Sequence, residues 1–308
     1  PIKRGSEVKA RVKEILGDPF AAKSFSLIAI HKFEIPLHFP DAVVEEAEQA
    51  TKLEILKEKR EDLRHLPIVA IDPADARDHD DAIWAAPDDS PDNKGGFKAL
   101  IAIADVSYYV RSGSKLDREA YKRGNSVYFP DRVVPMLPEA LSTDVCSLKQ
   151  GVDRAALVCH VTIDAKGQVI ASRFTRAIVK LAGNIAYEDA QAAMDGKLDH
   201  ELKSSALEPL WACWKLLAKA RDAREPLNLD LPEKRVVLDD QGKIVEIAIR
   251  ERLDAHRVVE DYMIVANVAA AKMLESKESP VIYRVHETPS REKLIALKDY
   301  LKTFDMSF

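Results

Sequence analysis

The sequence predicts an α+β protein with a mixed, largely antiparallel sheet and packed helices, preceded by a remnant of a small β-barrel. Strand and helix patterns come in clusters rather than in strict alternation, which is typical of α+β domains. Pairs of apolar runs separated by short polar turns indicate β-hairpins and therefore antiparallel pairing. With 308 residues, of which 46% are hydrophobic and 31% charged, the chain is long enough to bury a sizeable core.

The first forty residues differ in pattern from the rest of the chain. Residues 8–16 and 24–35 predict short strands around a Gly-Asp-Pro turn. The segment 1–40 is too short to bury a core alone, so we expect it to be the end of a small β domain. From Asp41, a plausible N-cap, apolar residues recur every three or four positions to about Leu66, which predicts a helix.

The remaining strands and helices follow from apolar runs and from helix start and stop signals. Strands are predicted at 67–71, 81–86, 97–105, 156–163, 172–181 and 280–286, with a hairpin over 235–249 that turns at 240–242. Helices are predicted at 114–124, within 186–223, at 253–276, and from about 288–290 to the C-terminal region.

Charge and hydropathy limit the class of protein. The net charge of −5 and pI near 6.0 lack the basic surplus common in nucleic-acid-binding domains. A polyanionic partner would therefore depend on local basic patches or on metal ions. No apolar run approaches the roughly 18 residues of a membrane helix, since the best candidate, 99–106, contains Asp105.

The termini and cysteines suggest the setting of the protein. The chain begins PIKRG, without a methionine or a signal peptide, so we expect a piece of a longer protein. Cys146, Cys159 and Cys213 lack metal-ligand spacing and are odd in number, which favours a reducing, cytoplasmic location. We expect the three thiols to fill the core.

The stretch IDPADARDHDDAIW at 71–84 places an acidic group between two apolar runs. Asp72 ends a predicted strand, Asp78 and Asp80 are two residues apart, and Asp81 follows directly. Carboxylates this close repel one another and need a counter-charge to remain ionised. Mg²⁺ and Mn²⁺ prefer oxygen ligands and can supply that charge.

Other interpretations of this stretch are a solvated acidic turn, with Arg77 pairing one carboxylate, or another kind of metal site. An EF-hand beginning at Asp72 or Asp78 lacks the required glycine and glutamate. The His79-Asp80 pair is found in HD phosphohydrolases, but the eight histidines here are scattered, and zinc spacing is absent. From the residues alone, the metal site and the solvated turn both stay open.

Four blocks of the sequence carry a family resemblance. They are, in order, IDPADARDHDDAIW, IAIADVSYYV, LDREAYKRGNSVYFPDRVVPMLPEALSTDVCSL and AHRVVEDYMIVAN. Together they resemble the catalytic RNB domain of the ribonuclease II/ribonuclease R family, with most similarity to its bacterial ribonuclease R members. The likeness runs from about residue 50 to the end of the chain. It implies an RNB catalytic domain over 41–308 and a cold-shock-like (OB) remnant over 1–40.

The resemblance also implies an activity. Members of the family are 3′→5′ exoribonucleases that hydrolyse RNA processively to nucleoside 5′-monophosphates with Mg²⁺, for which Mn²⁺ can substitute. A two-metal scheme would account for the number of carboxylates. The expected partner is the 3′ end of single-stranded RNA, with no membrane and no obligate protein partner.

Site residues can be carried over position by position. The resemblance implies metal binding by all four aspartates, with Asp80 indispensable to the chemistry: Asp72, Asp78, Asp80 and Asp81. It implies that Tyr128, in SVYFP, stacks on the 3′-terminal base. Arg118, Lys122 and Arg123 are candidates for the RNA path, although surface helices carry such charges routinely. For Asp105, which ends its predicted strand, two interpretations stay open: it supports the metal ligands, or it has no role at this site.

Two departures from the family pattern limit the prediction. The family's later TSPIRRY-like run is absent, so we expect the chain to lack the C-terminal part of the catalytic domain. Residues 181–187 read LAGNIAY where ARLTY is more usual. We therefore expect weak or no hydrolysis by this piece alone. The alternative function is a non-catalytic RNA-binding or regulatory relative with the same fold.

Overall fold

The computed structural model describes residues 11–12, 14–18, 21–226, 233–239 and 243–307. The chain divides into two compact units, Pro1–Ala269 and Ala270–Phe308. The first unit contains the sheet and most of the helices. The second contains the end of one long helix and a shorter final helix.

The strands and helices are numbered in chain order. The strands are β1 Glu61–Asp62, β2 Val69–Asp72, β3 Asp81–Pro87, β4 Phe97–Ala104, β5 Val127–Tyr128, β6 Val133–Val134, β7 Asp153–Ile163, β8 Val169–Lys180, β9 Gly183–Ala186, β10 Glu233–Leu238 and β11 Ile244–Arg250. The helices are α1 Ala22–Lys32, α2 Asp41–Ala50, α3 Val106–Tyr109, α4 Lys115–Arg123, α5 Tyr187–Met194, α6 Glu208–Asp222, α7 Asp254–Ser276 and α8 Arg291–Lys302. Among the described residues, no helix combines the length and apolar character needed to cross a membrane.

Seven strands form one mixed sheet in the order β1-β8-β7-β4-β3-β2-β9. The four inner pairings, from β8 to β2, are antiparallel, whereas the outer strands β1 and β9 each pair in parallel with their neighbour. Strands β5 with β6, and β10 with β11, form two separate hairpins. The largely antiparallel α+β fold predicted from the sequence is therefore confirmed.

Both faces of the sheet are covered, which explains why its strands are apolar almost throughout. Because successive side chains of a strand point to opposite faces, Val69 and Ile71 belong to one apolar cluster and Ile68 and Ala70 to the other. The first cluster includes the buried residues of α5, α6 and the first part of α7, and the second those of α2 and α3. Cys146, Cys159 and Cys213 are free and buried, as predicted.

A side-chain cap and two glycines define the ends of α4 and the turn between β7 and β8. Ser114 accepts a hydrogen bond from the backbone N–H of Asp117, and Gly124 ends α4 with a φ of 79°. Gly167, also with a φ of 79°, turns β7 into β8 so close to α6 that a Cβ there would lie 2.1 Å from the Leu216 carbonyl oxygen. Both glycines are therefore required by the backbone path.

The N-terminal prediction is wrong where it can be compared. The strand expected at 24–35 is helix α1, because the buried residues Ser26 and Ile30 lie one helical turn apart. Ser26 donates a hydrogen bond to Asp131, 105 residues away. The strand expected at 8–16 lies partly outside the described residues, and its described positions have no regular structure. The described part of residues 1–40 thus contains no strand of a β-barrel.

Two further predictions differ from the structure. The helix expected from Asp41 to about Leu66 ends at Ala50, and the chain then forms a short 3₁₀ turn and β1. The strand expected at 280–286 is irregular: Ile282 is almost fully exposed, and no described strand pairs with this segment. The turn predicted at 240–242 lies outside the described residues.

A buried ion cluster joins β4 to the far edge of the sheet. Asp105, which directly follows β4, is 3% exposed and accepts hydrogen bonds from Arg60 Nη1 at 2.9 Å and Arg176 Nη1 at 2.6 Å. The Arg60 side chain is fully buried and its guanidinium lies 4.8 Å from the centre of the Tyr108 ring. Asp105 is therefore the counter-charge for a buried arginine.

We expect Asp105→Ala to lower the free energy of unfolding by about 3–5 kcal/mol, because it leaves the buried Arg60 charge without its closest carboxylate. Urea unfolding followed by circular dichroism measures the change. Lys197→Ala, which removes an exposed ion pair with Asp195, is the control and should change stability by no more than about 0.5 kcal/mol. A loss below about 1 kcal/mol for Asp105→Ala would contradict this role.

Candidate metal centre

Two neighbouring strands bring the acidic stretch to one edge of the sheet. Asp72 is the last residue of β2 and Asp81 the first residue of β3. Because β2 and β3 are antiparallel neighbours, the end of one lies beside the start of the other. Asp78 and Asp80 lie on the connection between them. We refer to residues 72–81 as the acidic loop and to its Asp72, Asp78, Asp80 and Asp81 as the four aspartates.

The four aspartates influence one another electrostatically. Burial, followed by repulsion from Asp72 and Asp80, raises the pKa of Asp81 to about 6. Partial desolvation, followed by repulsion from Asp78 and Asp72, also raises the pKa of Asp80. Asp80 is nevertheless solvent-accessible, whereas the other three are partly covered. The loop thus concentrates negative charge at a place that a cation or substrate can reach.

In the described part of the chain, no lysine or arginine side chain forms an ion pair with the four aspartates. Arg77, the residue that would pair with a carboxylate in a solvated turn, forms no ion pair there. His79 is the one basic partner seen, with its Nδ1 atom 2.7 Å from Asp72 Oδ2. The described contacts therefore favour the metal site over the solvated turn.

Backbone contacts hold the acidic loop in place. The buried hydroxyl of Ser147 accepts a hydrogen bond from the His79 N–H and donates one to the Arg77 carbonyl, both at 3.0 Å. The Leu148 N–H donates to the His79 carbonyl, and the Ala104 N–H to the Asp80 carbonyl, both at 2.8 Å. These bonds fix the backbone on either side of Asp78 and Asp80.

Tyr128 lies beside the acidic loop. The residue is 67% exposed, and its hydroxyl donates a hydrogen bond to Asp78 Oδ2 at 3.3 Å. Partial desolvation and the Asp78 charge raise the pKa of Tyr128, so its hydroxyl remains protonated. The structure therefore places an accessible aromatic side chain next to the carboxylates, and stacking of Tyr128 on an RNA base stays a prediction.

The basic candidates on α4 have different environments. Arg118 and Lys122 are exposed and make no ion pair with a described residue. Arg123 is different: its side chain is 2% exposed, and its guanidinium donates to Glu119 and to the carbonyls of Pro36, Pro135 and His38. These bonds occupy the groups that a phosphate would need, so we correct Arg123 to a structural role.

Sequence reasoning missed the groups that support the loop. Ser147 and Asn184 gave no signal, because their partners are backbone atoms 34 to 70 residues away in the chain. Asp105, left open above, belongs to the Arg60 and Arg176 cluster.

The donor chemistry fits a hard divalent cation, but the finished coordination geometry is not formed. In the part of the chain that the structure describes, no three His, Cys, Asp or Glu side chains are grouped closely enough to hold a metal ion. The four aspartates supply carboxylate oxygens and excess negative charge, both of which suit Mg²⁺ or Mn²⁺.

Comparison with known proteins decides the family. The profile of the RNB domain matches residues 60–308, which is most of the chain. The chain belongs to the RNB family. Ribonuclease R from Vibrio parahaemolyticus is 39% identical to this RNB protein over 306 residues, which cover 97% of this chain and 36% of the relative. The RNB chain thus spans about a third of the length of the curated relatives that it matches.

Solved structures of RNB proteins share the fold. Mycoplasma genitalium RNase R in complex with ribose-methylated single-stranded RNA matches with a TM-score of 0.88 at 27% identity, covering 96% of this chain and 46% of that one. The same enzyme with double-stranded RNA gives a TM-score of 0.87 at 27% identity over 96% and 52% of the two chains. Yeast Ssd1, a pseudonuclease, has a TM-score of 0.64 at 18% identity over 82% and 31%, which shows a similar fold alone.

We expect Asp81→Asn to stabilise the metal-free RNB chain near neutral pH by about 1–3 kcal/mol. The pKa of about 6 in the folded chain exceeds the unfolded value of about 3.9, so the folded chain binds more protons between them. Stability therefore decreases as the pH rises from about 4 to about 6, and the substitution should flatten that decrease. Urea unfolding across this range, with a chelator present, measures it; an unchanged slope would contradict the electrostatic coupling.

Proposed function

We propose that the protein is a metal-dependent 3′→5′ exoribonuclease that hydrolyses RNA processively to nucleoside 5′-monophosphates. The observation that carries the proposal is the cluster of four aspartates at the β2–β3 edge, which no described lysine or arginine neutralises. Such a charge costs stability unless a cation occupies it. Membership of the RNB family and similarity to ribonuclease R support the reaction type.

The four aspartates would hold Mg²⁺, with Mn²⁺ as a substitute. When bound, two such ions would activate a water molecule and stabilise the departing 3′ oxygen of a phosphodiester. Asp81 and Asp72, at the strand ends, would provide the fixed side of the site. Asp80 is the most accessible of the four, which suits a carboxylate that meets the reacting phosphate, and we assign it the indispensable role.

RNA would reach the site past the aromatic ring of Tyr128 and the exposed basic side chains of α4. Tyr128 can stack on the 3′-terminal base, and stacking is tolerant of sequence because every base has a π face. Its bond to Asp78 ties that platform to the metal ligands. Arg118 and Lys122, exposed and without a described ion-pair partner, are available to phosphates. This local arrangement allows RNA binding despite a net charge of −5.

The proposed partner is the 3′ end of single-stranded RNA, supported by the RNA-bound RNase R structures that share this fold. The three buried free thiols suit the reducing conditions of the cytoplasm, where we propose that the protein works. Weak or absent hydrolysis by these 308 residues alone stays a prediction.

A non-catalytic RNA-binding or regulatory relative with the same fold is the second candidate; the similarity to the pseudonuclease Ssd1, at 18% identity, shows the fold alone and does not choose between the two. Retention of all four aspartates favours the enzyme, because a protein without the chemistry gains stability by losing some of this crowded charge. Turnover separates the two candidates, since a pure binder has none to lose.

We expect Asp80→Asn to abolish mononucleotide release by the full-length protein, with at least about a 1,000-fold lower rate but RNA affinity within about threefold, because a ligand of the reacting centre is lost while the RNA path remains. Release of nucleoside monophosphates from labelled poly(A) measures the rate, and filter binding measures affinity. Arg77→Gln, which alters an exposed residue of the same loop without a described ion pair, is the matched control.

Two results would contradict this assignment. Turnover by Asp80→Asn close to that of the unsubstituted protein would remove Asp80 from the chemistry. Failure of Mn²⁺-soaked crystals to show anomalous density among the four aspartates would remove the metal site itself.

We expect Tyr128→Ala to weaken binding of short single-stranded RNA by about 5- to 150-fold, because loss of one base–aromatic stack costs about 1–3 kcal/mol. Tyr128→Phe keeps the ring and loses only the hydrogen bond to Asp78, so it should retain most of the affinity. Fluorescence anisotropy with a labelled oligonucleotide measures both. Equal losses for the two variants would contradict stacking.

A further inference from the structure

A short segment connects the acidic loop to β9, the outer strand that pairs with β2. Residues Cys146–Gln150, with the sequence CSLKQ, precede β7 and lie between the acidic loop and β9. We call this segment the strut. Its serine is fully buried, and the proposed chemistry gives the segment no task.

The strut holds the acidic loop at two residues. Ser147 Oγ bridges the N–H of His79 and the carbonyl of Arg77, and the Leu148 N–H donates to the His79 carbonyl. A single hydroxyl thus satisfies a donor and an acceptor of the loop at once. Between those two anchored residues lies Asp78, and directly after them lies Asp80.

The other side of the strut is held by Asn184 from β9. Asn184 Oδ1 accepts a hydrogen bond from the Gln150 N–H at 2.6 Å, and its Nδ2 donates to the Leu148 carbonyl at 3.0 Å. Arg154 Nε adds a bond to the Ser147 carbonyl at 2.8 Å. The Leu148 peptide is therefore bonded to the loop through its N–H and to β9 through its carbonyl.

Asn184 belongs to the segment LAGNIAY, the one that departs from the usual family pattern. Gly183 allows β9 to pack closely, because a Cβ there would lie 2.6 Å from Leu202 Cδ1. The side-chain amide of Asn184 then hydrogen-bonds both the Gln150 N–H and the Leu148 carbonyl of the strut. The departure thus provides a planar donor and acceptor pair at the position where the strut needs both.

We propose that Ser147 and Asn184 are positioning residues that hold the backbone of the acidic loop in place, so that its carboxylates can converge on a metal ion. The loop carries like charges that repel one another, and its own strand pairing is limited to the two ends. The strut opposes that repulsion by fixing the backbone beside Asp78 and Asp80. The link to metal rests on the proposed function, whereas the link to loop conformation does not.

The test compares Ser147→Ala and Asn184→Ala with Asn93→Ala. Asn93 is also buried and also makes two hydrogen bonds, to Asp88 Oδ2 and to the Ile163 carbonyl. It lies in the β3–β4 turn, at the end of β3 opposite Asp81, so it controls for general loss of stability. Calorimetric titration with Mn²⁺ measures metal affinity, and native-state hydrogen exchange measures opening of the loop.

We expect Mn²⁺ affinity to fall by about 10- to 100-fold in Ser147→Ala and Asn184→Ala, as is common for residues that orient metal ligands, and to change less than about twofold in Asn93→Ala. The amides of His79, Leu148 and Ala104, which mark the loop contacts, should exchange at least about tenfold faster in the first two variants alone.

The two readouts separate failure of this proposal from failure of the proposed function. Unchanged exchange of these amides in both variants overturns the positioning role, and so does an equal loss of Mn²⁺ affinity in Asn93→Ala. If the unsubstituted chain binds no Mn²⁺, the metal-dependent function is overturned, and faster exchange still supports the strut. If Ser147→Ala does not fold, Asn184→Ala decides the result.

Discussion

Repulsion among the four aspartates is the constraint on which the rest of the site depends. An isolated loop would relieve that repulsion by spreading into water. Here the loop connects two central strands of a sheet that is buried on both faces, so Asp72 and Asp81 are held where the apolar core puts them. Hydrogen bonds from Ala104, Ser147 and Leu148 then hold the connection. The stability of two apolar layers offsets the cost of concentrating charge at their edge.

The sequence predicted the sheet well because its strands are apolar runs between polar turns, and such runs need no partner to be recognised. It failed at α1 and at 280–286 because local pattern cannot identify partners. The alternation in SFSLIAI fits a strand, yet the bond from Ser26 to Asp131 depends on a residue 105 positions later. The apolar residues at 280–286 had no described strand to pair with.

The site was predictable only in part for a similar reason. The four aspartates and Tyr128 stood out through residue type, spacing and family resemblance. How strongly the aspartates raise one another's pKa, and whether an arginine pairs with them, depends on the folded structure and could not be read from the sequence. Arg123 illustrates the limit: its sequence position resembles that of Arg118 and Lys122, yet its guanidinium is used for the carbonyls of three residues. The charge available for RNA therefore cannot be counted from composition.

The parallel pairing of β2 with β9 has a consequence for the order in which the protein matures. Val69 pairs with Gly183, and Asp72 with Ala186, so the acidic edge acquires its outer neighbour only after more than one hundred further residues have left the ribosome. Closing so long a segment is slow compared with hairpin formation. A nascent chain would thus expose its carboxylates early but assemble their surroundings late, which delays completion of the acidic site until translation has moved well past it.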